Sequence, residues 1–152
     1  MTPVASWWVS AVGSFAAALL AAALAYATNR SAQALGGRTA VVFVAPALEE
    51  SLKTGAALLV GAPVLWTHLC FGLIEALYDV ASPASGPGRS RALGAAAAGL
   101  AGHALFGAVT VAGAAAVAVT GSLAAWAPGV VLAYLVHVGW NGLVMGRVTP
   151  RR

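Results

Sequence analysis

Residues 39–60 read TAVVFVAPALEESLKTGAALLV, and three charged side chains, Glu49, Glu50 and Lys53, stand inside this otherwise apolar run. At ~1.5 Å per residue such a run is long enough to cross a hydrocarbon core of ~30 Å as one helix. The rest of the chain has the same character. Its 152 residues are 61% hydrophobic and 8% charged, with a mean hydropathy of +0.88. An ordinary soluble domain carries about 25% charged residues. Eight basic and four acidic residues cannot cover the surface of a soluble fold this long. Disorder is excluded as well, because disordered chains are polar and charge-rich. The single cysteine, Cys70, sits in an apolar run and allows no internal disulfide. These features predict an all-α, polytopic membrane helix bundle, with residues 1–152 forming one integral membrane domain.

Working outward, four more charge-poor segments have spanning length: 5–27, 64–81, 92–119 and 124–146. The connections fall at 28–38, 61–63, 82–91 (SPASGPGRSR) and 120–123. The segment 92–119 is long for one crossing, which predicts a tilt or a break near Gly113. Segment 5–27 lacks a basic leader and exceeds the apolar core of a signal peptide, so it reads as a retained helix. Arg30 and Arg38 follow the first span, Arg89 and Arg91 the third, and Arg147, Arg151 and Arg152 the fifth. Five spans place every arginine on one face, which the positive-inside rule makes cytoplasmic. The N-terminus is then outside and the C-terminus inside. Trp7, Trp8, Trp66 and Trp126 mark the opposite face as an interfacial belt. The sequence pI near 10.0 is thereby explained by orientation in a lipid bilayer, and no nucleic-acid partner is expected.

The other charges carry chemistry. All four acids, Glu49, Glu50, Glu75 and Asp79, lie in spans, as do Lys53, His68, His103, His137 and Asn141. A charge at the bilayer centre costs roughly 2.5–3.5 kcal/mol, so these groups should face inward and pair. Measured along each helix from the nearest arginine, Glu49, Glu75, His103 and His137 fall at similar depth, near the midplane, and predict one cluster. Lys53 is spaced to neutralise Glu50 at i,i+3 or Glu49 at i,i+4, leaving the other carboxylate as a base. Pro46 should kink the helix and free backbone groups beside the pair. His137 and Asn141 share a face next to Trp140, and Phe71 shares one with Glu75. His68, beside Trp66, reads as an interfacial residue, and Asp79 as one reaching the inner headgroups. Gly99 and Gly107 flank His103 on one stripe, and Gly142 pairs with Gly146, both reading as sites of close helix packing.

In order, Glu49-Glu50-x-x-Lys53, Phe71-x-x-x-Glu75, His103 and His137-x-x-Trp140-Asn141 resemble the four motifs of the PrsW family of intramembrane proteases. That family belongs to a wider group that includes the CAAX prenyl endopeptidases, which typically carry EExxxR, FxxxH, a lone His and HxxxN. Lys53 and Glu75 favour PrsW within the group. The resemblance covers residues 46–146. The chain departs in having Ala76 where an Asn often follows the second-motif Glu, and in being shorter than many members. The resemblance implies peptide-bond hydrolysis in or near the membrane, in a prokaryotic plasma membrane. It also implies a single-pass membrane protein as substrate, such as an anti-sigma factor.

The residues suit that reaction. Glu49 is the expected general base, with Glu50 supporting it or paired to Lys53. Asn141, with His137, is expected to donate to the oxyanion, while His103 and Glu75 position the water. A metal version is equally buildable, with His103, His137 and Glu75 as the ligands of one zinc ion. There is no HExxH sequence, so these ligands would meet from three helices. The resemblance to a group classed as metalloproteases leans toward zinc. Two other functions fit intramembrane acids and histidines: an ion- or proton-coupled transporter, and a non-catalytic membrane scaffold.

Overall fold

The computed structural model describes residues 3–81, 89–115 and 123–148. Helix α1 (Pro3–Thr39) leads through a π-helical turn (Ala40–Val44) into α2 (Ala45–Val60). Helices α3 (Val64–Ala81) and α4 (Arg89–Ala115) follow, then a 3-10 turn (Leu123–Trp126) and α5 (Ala127–Val148). No strand occurs among the described residues. Among the described residues, four stretches are long and apolar enough to cross a membrane: Ser10–Val60, Val64–Ala81, Ala92–Ala115 and Ala124–Val144. They make this a multi-pass membrane bundle.

The first stretch is a helical hairpin. Gly37 leaves helical geometry at φ 51°, ψ −129°, a conformation open to glycine because it has no Cβ. Two contacts show the arms running antiparallel. Asn29 Nδ2 donates to Glu49 Oε1 at 2.8 Å, and a Cβ on Gly13 would touch Ala62 at 3.7 Å. The expected connection at 28–38 is therefore helical up to the Gly36–Gly37 pair. The reversal between α2 and α3 uses Gly61 in the left-handed region at φ 68°. Ala62 N there donates to Ala57 O at 2.8 Å, the six-to-one bond of a glycine helix stop.

Helix α4 runs unbroken through Gly113 to Ala115, so of the expected tilt or break the break does not occur there. Gly113 instead meets the backbone of Gly129, so α4 and α5 cross where neither carries a side chain. The remainder of the expected fourth span, 116–119, lies outside the described residues. The expected fifth span begins in the 3-10 turn, and α5 starts at Ala127.

The bundle is apolar outside and polar inside. Leu35, Leu59, Val12 and Leu143 are largely exposed, far more apolar surface than a soluble monomer tolerates. Ala17, Ala18, Ala21 and Ala25 are buried and let α1 lie close to its neighbours. Around the bundle α1 touches α2 and α3, α3 touches α4, α4 touches α5, and α5 returns to α2. This ring puts the C-terminal halves of α1, α3 and α5 beside the N-terminal halves of α2 and α4.

Candidate functional site

Helix α2 carries the centre of the site. Pro46 stands in its first turn, just after the π-helical turn, in which Ala45 N–H bonds back to Ala40 O. Val41 O then loses its usual partner, Ala45 N–H. Pro46, the next residue along, has no N–H to offer. Asn141 Nδ2 donates to this carbonyl at 3.1 Å. The expected freeing of backbone by Pro46 is thus present, and the Asn141 amide that was expected at an oxyanion is engaged in clasping α5 to α2.

The two adjacent glutamates differ. Glu50 is fully buried, and its Oε1 accepts from Lys53 Nζ at 2.5 Å and from His137 Nδ1 at 2.8 Å. Glu49 is 8% exposed and lines a cavity of about 820 Å³ with Glu75, His103 and His137. Lys53 Nζ also donates to His103 Nδ1 at 3.1 Å. Because an ammonium only donates, His103 accepts at Nδ1 and carries its proton on Nε2, which donates to Glu75 Oε2 at 2.5 Å. His137 donates from Nδ1, so its Nε2 bears a lone pair, 4.0 Å from Glu49 Oε2. Lysine 53 lies 4.9 Å from the Phe71 ring centroid and 5.7 Å from that of Phe106, an arrangement favourable to a cation.

Glu49, Glu50 and Glu75 face one ammonium, Lys53, which pairs with the buried Glu50. Glu75 is 42% exposed, whereas Glu49 is nearly buried, and a carboxylate so placed takes up a proton or pairs with a cation or metal. Ligand atoms of Glu49, Glu75 and His103 lie within 4.8 Å of one another. Two carboxylates and an imidazole are a donor set that suits a divalent ion such as zinc. This group shares His103 and Glu75 with the expected metal set and adds Glu49, while His137 stands beside it with Nε2 4.0 Å from Glu49 Oε2.

Two close approaches hold the imidazoles in place. A Cβ on Gly72 would come within 2.8 Å of His103 Cβ, and one on Gly107 within 2.7 Å of His68 Cβ. Gly99 meets nothing within 4 Å and leaves room for the cavity, and Gly142 likewise meets nothing, so neither packs as expected. Phe106 stacks on His137 with centroids 4.2 Å apart, and Trp140 lies edge-on to Phe106 at 6.4 Å.

His68 is not interfacial. It is fully buried, with Nδ1 3.6 Å from Glu50 Oε2 and Nε2 3.4 Å from Thr54 Oγ1. Helical phase explains the difference, since His68 lies one turn before Phe71 on the face turned to Lys53. Asp79 lines the cavity one turn beyond Glu75. Asn29 and Phe106 were missed by sequence reasoning. Phe106 follows His103 at i+3, a usable signal. Asn29 lay hidden in a stretch read as a connection, and taking Gly36–Gly37 as the turn would have set it beside the start of α2, about one turn from Glu49.

No protein family, characterised protein or solved structure that was compared matches this chain.

Proposed function

We propose that this chain is a membrane-embedded peptidase of the PrsW type, hydrolysing peptide bonds of membrane-protein substrates. In this reading it crosses the membrane five times, N-terminus outside and C-terminus inside, in a prokaryotic plasma membrane. The observation that carries the reading is the convergence of Glu49, Glu75 and His103, from three helices, on the wall of one cavity. Fixed positive charge lies just behind them, at Lys53.

Glu49 is the cavity-facing carboxylate that takes a proton from the attacking water and returns it to the leaving amine. Glu50 does not reach the substrate, but fixes Lys53 and orients His137 through Nδ1. His137 Nε2 is directed toward Glu49 and can accept or return a proton there. His103 passes the position of Lys53 on to Glu75, so three helices keep one register. Glu49, Glu75 and His103 would hold a zinc ion, the imidazole giving up its Nε2 proton to coordinate, and the ion would supply Lewis-acid polarisation of water and carbonyl; with Glu49 then a ligand, His137 Nε2 would be the proton acceptor. Support against the transporter reading comes from the side of the bundle beyond Lys53. There Thr67, His68 and Thr110 are fully buried, and α3, α4 and α5 meet through glycines.

The test is hydrolysis of internally quenched, unstructured peptides by the purified protein in nanodiscs, with metal content measured on the same sample. Glu49→Gln should lower turnover at least about 10²-fold, the usual weight of a general base, while keeping the thermal unfolding profile. Wild-type turnover in a stably folded Glu49→Gln protein would falsify the peptidase reading.

A further inference from the structure

The cavity is one-sided. Its lining comes from residues 22–33 of α1, 41–49 at the π turn and α2, 71–79 of α3, 99–106 of α4 and 137–141 of α5. The lining reaches as deep as the middle of the helices, at Phe71, His103, Phe106 and His137, and most of it lies in the C-terminal halves of α1, α3 and α5 and the N-terminal halves of α2 and α4. Every contributing half is the one nearest an arginine: Arg30 and Arg38 in α1, Arg89 and Arg91 at the start of α4, and Arg147 in the last turns of α5. Arg30, Gln33 and Asp79 give the cavity a polar upper wall.

Its sides are clasped at each seam of the helix ring. Tyr26 and Tyr78 meet edge to face at 6.0 Å between α1 and α3. His103 and Glu75 join α4 to α3 at 2.5 Å, and Phe106 and His137 join α4 to α5 at 4.2 Å. Asn141 binds α5 to the π turn at 3.1 Å, and Asn29 binds α1 to α2 at 2.8 Å. A substrate helix sliding in from lipid would have to break one of these clasps, and the one between His103 and Glu75 joins two residues of the site itself.

Hydrolysis adds a chemical constraint. A peptide bond inside a helix is wrapped by side chains, with its N–H and C=O engaged, so the scissile segment must be unwound. Unwound backbone is costly in hydrocarbon and is tolerated where a polar, watered cavity receives it. Glu49 and Glu75 stand about one helical turn, ~6 Å, below Gln33 and Asp79. A few extended residues are enough to bridge that depth.

Resting on the peptidase reading for its chemistry, we propose that the substrate is an unwound polypeptide segment that approaches Glu49 end-on from the arginine-bearing face. In a membrane-protein substrate this is a juxtamembrane segment on that side, and the surrounding helices stay together while it binds.

The test needs two measurements in vesicles of each orientation, on a Cys70→Ser background. Leu35→Cys, at the exposed tip of the α1–α2 hairpin, reports which vesicles present the arginine face to added reagent. Ala23→Cys, on the cavity wall, should react with a membrane-impermeant maleimide in those vesicles and not in the others. Quenched unstructured peptides added outside should be hydrolysed by the same vesicles only. Labelling of Ala23→Cys from the opposite face, or by a lipid-soluble maleimide alone, overturns the proposal. Hydrolysis only from the opposite face does so too. The expected labelling with no hydrolysis from either face leaves the route standing and removes the peptidase reading.

Discussion

The glycine at position 72 provides the sharpest test of how the site is held. Its missing side chain lets α3 lie against His103, and an added Cβ would stand 2.8 Å from His103 Cβ, 3.0 Å from Cδ2 and 3.1 Å from Cγ. Carbon atoms in ordinary contact sit about 3.5–4.0 Å apart. Gly72→Ala therefore forces the two helices to separate by roughly 0.7–1.2 Å at this point. The nearest clashing atom is a Cβ, so rotating the imidazole does not relieve it. Nor is the ring free to rotate, because Lys53 holds Nδ1 at 3.1 Å and Glu75 holds Nε2 at 2.5 Å.

Overpacking of this size costs about 1–3 kcal/mol, and a displacement of about 1 Å in a catalytic group costs around 10²-fold in rate. Gly55→Ala is the matched control. It makes the same chemical change in a helix where nothing lies within 4 Å of the new methyl, and it removes glycine's helix penalty of roughly 0.5–1 kcal/mol. Thermal unfolding in one detergent, with peptide turnover in nanodiscs, should show Gly72→Ala folded, less stable and about 10²-fold slower. Gly55→Ala should be as stable as the parent or slightly more so, with unchanged turnover. If the two alanines behave alike, the close approach of Gly72 and His103 does not hold the site.

Three other outcomes follow from the same contacts. Lys53→Met leaves the buried Glu50 carboxylate without its ion pair and should destabilise the bundle by about 3–5 kcal/mol. The double variant Glu50→Gln/Lys53→Met should lose less than the sum of the single ones in detergent unfolding. Asn141→Leu strands the Val41 carbonyl at a cost of about 1–3 kcal/mol, and Pro46→Ala, which restores a backbone donor nearby, should shrink that cost in a double-mutant cycle. Glu75→Ala should weaken cobalt or zinc binding at least about tenfold, read by dialysis and by cobalt absorption, whereas Asp79→Ala should leave it nearly unchanged.

Much of the architecture was legible because the bilayer makes charge expensive. With so few charges, each has a position that means something, and the depths of Glu49, Glu75, His103 and His137 along their helices are enough to group them. Their partners were harder to read. Whether Lys53 would choose Glu49 or Glu50 depends on which face of α2 meets α4 and α5, and helical spacing alone leaves both open. His68 misled because proximity to Trp66 suggests an interface, while the pitch of α3 turns the two residues to different sides. The hairpin was misread for a different reason. Residues 28–38 are polar enough to look like a connection, yet nothing in them stops a helix before the glycine pair, and the propensity of Ala, Gln and Arg continues it.

That misreading hid a consequence for how small such a site can be. The residues resembling the PrsW motifs begin at α2, so α1 looks dispensable as a mere anchor. In the structure it closes the ring. Asn29 holds the oxygen of Glu49 that faces away from His137, and residues 22–33 build one whole wall of the cavity. Without α1 the carboxylates would stand open to lipid on the α2–α3 side, where neither water nor a counter-charge could reach them. Glycine at 37 makes the closure possible, because the reversal there lets a long helix double back beside α2 with Asn29 at the height of Glu49. The conformational freedom of one glycine thus determines whether the acidic cluster faces a polar-lined cavity or bare hydrocarbon.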